Sequence, residues 1–294
     1  MLGGSAMRKN LFPFLIIGVV SLILPQYALC LSDDSSINVQ YANYILEVGT
    51  FDINKLLNGF FGENAKQLTE VSVNTESDYI DRVIYRSDDS TYECEFSSQN
   101  GYFLLSKPSR IPTHYRTSGE GIFLPPPSSQ QGKYTVQDAD WIARDTLNNL
   151  LGIHNESIEL IEAIHENPDK ERSRAYRLFY SYVIDGLDVI PISEMEYSPY
   201  IEVRITDDGI VYASGVCLII CNPVSDNVKF LSIDDLIKKN PWASSFGRTE
   251  LSYYLQKTDS GELLTKLVWY TFESDSWFSG NVYDATTGKE IGLE

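Results

Sequence analysis

The chain has 294 residues, with 41 acidic and 23 basic side chains and a formal net charge of −18 at pH 7. Such an excess of negative charge repels nucleic-acid phosphates and anionic lipid headgroups, which excludes nucleic-acid binding from the expected functions and leaves solubility as the plain use of the acidity. At 43% hydrophobic and 12% aromatic residues, the chain is rich enough to bury a core and does not read as disordered.

Residues 1–30 read as an export segment. Arg8 and Lys9 precede the apolar run Leu11–Leu24, Pro25 and Gln26 break it, and Ala28-Leu29-Cys30 follows. This is the order of charged region, apolar region and small-residue exit in a signal peptide. The run is shorter than the roughly 17–20 residues of a spanning helix. Cleavage after Cys30 is the first expectation. An uncleaved anchor over Leu11–Leu31 and lipidation of Cys30 stay open, although Leu29 is bulkier than the small residue that lipoprotein signals place before the cysteine. Every one of these fates puts the chain outside the cytoplasm, secreted or membrane-tethered, touching the membrane only through this segment.

Residues 31–106 are expected to form an N-terminal α+β module. Asp52 opens and Gly62 closes a short helix carrying Leu56, Leu57, Phe60 and Phe61. Strands are expected at Val71–Thr75, Tyr79–Arg86, Tyr92–Phe96 and Tyr102–Leu105, with Asn100-Gly101 as a hairpin turn. Residues 107–133 hold Pro108, Pro112 and Pro125-Pro126-Pro127 followed by a Ser/Gln/Gly run, which reads as an extended, then flexible, linker.

Residues 134–230 open with a helix from the capping box of Thr135 and Asp138 to the stop at Gly152, its core face expected on Trp141, Leu147, Leu150 and Leu151. A meander follows at Ser157–His165, Tyr176–Ile184, Leu187–Ile192, Tyr200–Thr206 and Ile210–Ser214, punctuated by Asp185-Gly186 and Asp208-Gly209. Residues 231–294 repeat the scheme on a smaller scale. A helix runs from Ser232 to Asn240, with strands at Leu251–Gln256, Leu263–Phe272, Gly280–Tyr283 and Glu290–Leu293. The expected fold class is therefore α+β, as repeated modules of one helix packed on an antiparallel β-meander.

The string Tyr180-Ser181-Tyr182-Val183-Ile184-Asp185-Gly186, the later Ile201–Ile205 with Asp207-Asp208-Gly209, and the closing Val282–Ile291 around Asp284 and Gly288-Lys289 resemble PepSY-type modules. They are also similar to the extracytoplasmic part of the YycH/YycI regulatory proteins. The resemblance covers roughly Tyr134–Glu294 and lies more in the order of elements than in any invariant string. It implies a non-enzymatic role at the outer membrane face, as an inhibitory pro-segment of a secreted protease or a membrane-linked regulator. A cleaved leader departs from the YycH/YycI pattern, which relies on membrane-embedded segments.

Sequence motifs for chemistry are absent. There is no Gly-x-Ser-x-Gly elbow, His-Glu-x-x-His, phosphate loop or dinucleotide fingerprint. No cofactor is expected. No metal site is expected either, because His114, His154 and His165 stand at no ligand spacing from a cysteine pair. Cys217 and Cys221 are the candidate disulfide. In a regular strand they stand roughly 13 Å apart, so a bridge needs a bend, for which Asn222-Pro223 is available. Pairing of Cys94 with one of them, or free buried thiols, are the alternatives. Among carboxylates, Asp207-Asp208 reads as turn formation and Glu194/Glu196 as a charged strand edge.

Trp269, Trp277 and Phe278 are the candidate partner-binding aromatics, with core packing as the alternative. Sheet edges also suit addition of an extended peptide. The expected function is a non-catalytic protein that binds a protein or peptide partner in the cell envelope. An extracytoplasmic hydrolase or its inhibitory pro-segment, and a carbohydrate-binding module, are the alternatives. A His beside a Ser or Cys in a cleft would favour the hydrolase.

Overall fold

Local sequence chemistry sets the helices of the computed structural model, which describes residues 41–71, 82–107, 128–190, 200–225, 228–245, 247–258, 262–272 and 280–291. Helix α1 (Ile53–Phe61) starts where the Asp52 side chain accepts from Lys55 N, buries Leu56, Leu57, Phe60 and Phe61, and ends at Gly62 with φ +60°. Helix α2 (Val136–Leu151) carries both halves of the Thr135/Asp138 capping box and stops at left-handed Gly152. Helix α3 (Ile233–Lys239) is capped by Ser232 and has Asp234 and Asp235 in its first turn and Lys238 and Lys239 in its last, matching the helix dipole.

The strands are β1 (Asn43–Val48), β2 (Leu68–Val71), β3 (Arg82–Ser87), β4 (Glu93–Ser97), β5 (Tyr102–Ser106), β6 (Ile158–His165), β7 (Ala175–Ile184) and β8 (Leu187–Ile190). After them come β9 (Ile201–Thr206), β10 (Gly209–Val216), β11 (Leu218–Ser225), β12 (Arg248–Lys257), β13 (Leu263–Phe272), β14 (Gly280–Asp284) and β15 (Glu290–Ile291). At the β7–β8 turn, Asp185 and Gly186 take φ +52° and +77°, the paired positive values of a tight hairpin. The closing β14–β15 turn is organised by Asp284, whose Oδ1 accepts from the backbone of Thr286 and Thr287 and from the Thr286 hydroxyl.

The expected repeat of one helix on an antiparallel meander does not form. Instead, the described strands join in one 15-stranded mixed sheet with the path β11-β1-β13-β12-β8-β7-β9-β10-β5-β4-β3-β2, with β14 and β15 beside β13 and β6 beside β7. The physical reason is where the edge strands find partners. β1 inserts between β11 and β13, β5 pairs with β10, and β8 pairs in parallel with β12. Backbone groups are thus satisfied between distant segments rather than within one module. Segments 31–106, 134–230 and 231–294 contribute strands to the same sheet and side chains to the same core.

That core runs through Leu46, Leu56, Phe103, Leu147, Tyr182, Val203 and Val268. Aromatic pairs fix the α1 region on β4: Phe51, just before α1, meets Phe96 at 5.3 Å, and Phe61 meets Tyr92, just before β4, at 5.7 Å between centroids. The face that α2 buries includes the expected Leu147 and Leu151, with Leu150 packed on the core, but Ala139 and Ala143 take the place expected for Trp141. Ala139, Ala143, Leu147 and Leu151 are inside, while Trp141 is 68% exposed. Trp141 stands two positions from both alanines, about 200° around a helix, so it cannot share their side. The small alanines let the helix axis approach the sheet. A second, smaller cluster joins Leu236 and Ala243, on and after α3, to Tyr283, with Trp269 packed on it.

Residues 128–134 are docked, where the sequence predicted a flexible run. Lys170 Nζ and Asn167 Nδ2 donate to Ser128 O, Arg172 donates to Lys133 O at 2.7 Å, and Lys133 N donates to Asp207 Oδ1 at 2.8 Å. Gly132 lies so close to the chain at Ser173 that a Cβ would come within 2.0 Å of its carbonyl carbon. The prolines of 108–127 and the leader lie outside the described residues. Among the described residues, no helix is long and apolar enough to cross a membrane.

Candidate functional site

Of the aromatics nominated from sequence, Trp269 is described, and Trp277 and Phe278 lie outside the described residues. Trp269 is half-buried on β13. Its indole N–H donates to Leu231 O at 3.0 Å, and its ring meets Phe230 edge-on at 6.2 Å. Its polar atom and one ring edge are therefore engaged inside the protein.

Cys94, Cys217 and Cys221 are free thiols, and the candidate Cys217–Cys221 bridge is not formed. Cys217 sits at the corner between β10 and β11, with its thiol turned to Leu151 O at 3.4 Å. Cys221 lies half-buried on β11, with its thiol near Ile219 O at 3.8 Å. Burial pushes the Cys217 thiol up to about 11 and the Cys94 thiol higher still, so both stay protonated and unreactive at neutral pH.

One His–Ser pair does form. His165 Nδ1 lies 2.8 Å from Ser173 Oγ. Ser173, however, is wholly buried. Its hydroxyl also reaches Asn167 O at 3.4 Å, and its backbone N–H meets Tyr134 O and the Tyr176 hydroxyl. A nucleophile must meet a substrate carbonyl, and no face of Ser173 is open to one. In this geometry the pair ties the end of β6 to the segment before β7, and the Ser173 backbone holds that hairpin to Tyr134. His154 is exposed beside a short 3-10 turn, and His114, Glu194 and Glu196 lie outside the described residues. Among the described residues, no group of three His, Cys, Asp or Glu side chains is placed to hold a metal ion.

Two features escaped the sequence motifs. The first is Asp188 on β8, the strand that links the two halves of the sheet. Burial pushes its carboxyl up to about 6, and the charges of Glu159 on β6 and Glu250 on β12 add to this, against the opposing effects of Ser181 and Arg248. Glu159 faces Ser181 across β6–β7 and Asp188 faces Val183 across β7–β8, which brings carboxylates far apart in sequence onto adjoining strands. No signal in the sequence marks them, because positions 159, 188 and 250 form no local pattern.

The second feature is the state of the sheet edges. β11, β2, β6 and β15 end the hydrogen-bonded paths. Exposed Glu70 stands on β2, Glu159 and Glu162 on β6, and Glu290 on β15. Charges of this kind deter edge-to-edge pairing. β11 has no charged residue from Leu218 to Ser225, and it exposes Ile219 (44%) and Val224 (51%). Its start is rigidly held. The Tyr182 hydroxyl donates to Val216 O at 2.8 Å and accepts from Leu218 N, while Cys217 O accepts from Gly49 N and Cys217 N donates to Gly101 O.

No protein-family model matches the chain, and no curated protein matches it in sequence. Among solved structures, an uncharacterised protein from Eubacterium rectale ATCC 33656 is similar over 87% of both chains at 11% identity and a TM-score of 0.54. This likeness shows a shared fold and carries nothing about activity. The Bacillus megaterium YpeB C-terminal domain aligns over 84% of this chain and 97% of its own, at 11% identity and a TM-score of 0.37. So loose a superposition shows neither a shared fold nor a shared role.

Proposed function

We propose that this protein is an exported or surface-tethered, non-catalytic component of the cell envelope that binds a protein or peptide partner and thereby regulates an envelope sensor or protease. The observation that carries this reading is the sheet edge at β11, which is open among the described residues and uncharged and partly apolar where the other edges bear carboxylates. An edge strand presents unpaired backbone donors and acceptors, and their natural complement is another extended chain. The sealed His165–Ser173 pair adds support, since its serine has no route to substrate. The strongly acidic surface favours a partner of opposite charge and disfavours phosphate-bearing ones.

Crosslinking of the exported protein in its native envelope, followed by mass spectrometry, tests this reading and reports the mature N-terminus from the same sample. A discrete envelope protein joined at reproducible positions is the expected result. Catalytic turnover by the purified protein, or crosslinks spread evenly over abundant envelope proteins, would overturn the reading.

A further inference from the structure

We infer that the outer edge of β11 along Leu218–Cys221 receives an extended, basic segment of the partner as an added strand. This inference rests on the partner-binding reading above and goes further by naming the surface and the chemistry of what it takes. Three observations converge on that stretch. First, β11 pairs on one side with β1, in the register Val48↔Leu218, Glu47↔Ile219 and Leu46↔Ile220, and no strand lies on its other side among the described residues. Leu218 N–H already donates to the Tyr182 hydroxyl at 3.0 Å, so the outward groups left without a ladder partner begin at Leu218 O and continue at Ile220.

Second, the stretch is regular only in this half. Beyond it, the register with β1 shifts twice, where Tyr44 faces Pro223 and Asn43 faces Ser225. Bulges and a proline are devices that end pairing. An incoming strand is thus confined to Leu218–Cys221 and stops before Pro223. Third, the side chains of this half alternate. Leu218 is buried and Ile220 packs on the core, whereas Ile219 is exposed next to exposed Glu47. An added strand would lay apolar side chains against Ile219 and meet negative charge around them.

Net charge decides between possible occupants. Two copies of this chain, each at −18, repel one another, which disfavours pairing of β11 with a second β11. A lysine- or arginine-bearing segment is attracted by the same charge, and the attraction weakens as salt rises.

The test uses the full chain and a synthetic seven-residue peptide alternating valine and lysine, with a valine–glutamate peptide of the same pattern as the comparison. Amide hydrogen exchange is read along β11, and affinity is read by fluorescence anisotropy. The valine–lysine peptide should bind, slow exchange at Ile220 and lose affinity as salt rises, while the glutamate peptide should bind at least tenfold more weakly. Ile219→Lys, at an exposed position, should weaken valine–lysine binding at least tenfold, and Ile219→Glu should preserve it, with both variants melting like the parent.

Exchange at Ile220 that is already as slow as in β13 in the free protein would show the edge to be covered and overturn the inference. So would peptide binding without protection there, or a concentration-dependent dimer protecting the same amides. If Ile219→Lys still crosslinks to the native partner as the parent does, the β11 assignment fails while partner binding stands. Loss of crosslinking in both would instead remove the broader reading.

Discussion

Asp188 shows how one buried side chain can give this fold a pH dependence. Its carboxyl titrates at about 6 in the folded protein, because burial and then Glu159 and Glu250 oppose its charge, against an ordinary value near 4 in the unfolded chain. Between those two values the folded state holds more protons than the unfolded one. Its contribution to stability is therefore fully present below about pH 4 and is lost as pH rises to about 6 and beyond. Asp188→Asn removes the titration. We expect the variant to lose roughly 1–3 kcal/mol less than the parent between pH 4.5 and pH 7.5, read as the difference in urea midpoints at the two values. Equal pH responses in variant and parent would refute this. Asp284 works with the opposite sign. Burial disfavours its charge, but Lys266, the Thr286 hydroxyl and the Thr287 backbone amide outweigh that and hold the carboxyl below the usual range. It supports folding at neutral pH and loses that role in strong acid.

At the scale of elements, caps and hairpins were legible because their chemistry is local. Asp52, the Thr135/Asp138 box, Gly152 and Asp185-Gly186 all act where their residue types indicate. The leucines of the buried face of α2 are legible by their hydrophobicity, but Trp141 is not part of that face, because close approach to the sheet favours Ala139 and Ala143. Two substitutions separate these demands. Ala143→Leu forces extra volume between α2 and the sheet and should cost about 1–3 kcal/mol in denaturant unfolding. Trp141→Ala, on the wet side, should change stability by less than about 0.5 kcal/mol. The reverse order would restore the tryptophan face. Strand β1 is not among the elements expected from the sequence, and its partners cannot be named from it, because alternation along a strand reports which face is buried and not which neighbour it pairs with. The candidate site was hidden for the same reason. Edge status at β11 and the gathering of Glu159, Asp188 and Glu250 are products of strand order, which no local window contains.

For the whole molecule, the decisive fact is that contacts between the ends of the chain hold the sheet together. Tyr44 N donates to the Thr265 hydroxyl at 2.7 Å across 221 positions of sequence. The Tyr44 and Tyr253 hydroxyls both donate to Asp185 Oδ2, at 2.7 and 3.2 Å, joining β1, the β7–β8 turn and β12. A chain of independent helix-on-meander modules would let residues 134–294 fold alone. In this topology that fragment loses β1 from between β11 and β13 and β5 from beside β10. It also loses Leu46, Leu56, Phe60 and Phe103 from the common core. The remaining strands would then expose apolar faces and unpaired edges at once, a combination that a marginally stable domain does not survive. We expect residues 40–294 to unfold in one cooperative transition with matching near- and far-UV circular dichroism midpoints. The fragment 134–294 should show no near-UV signal, bind a hydrophobic dye and unfold without a sigmoidal transition. A cooperative melt of that fragment would mean that the sheet's long-range pairings are dispensable, and that the C-terminal half is a folding unit in its own right.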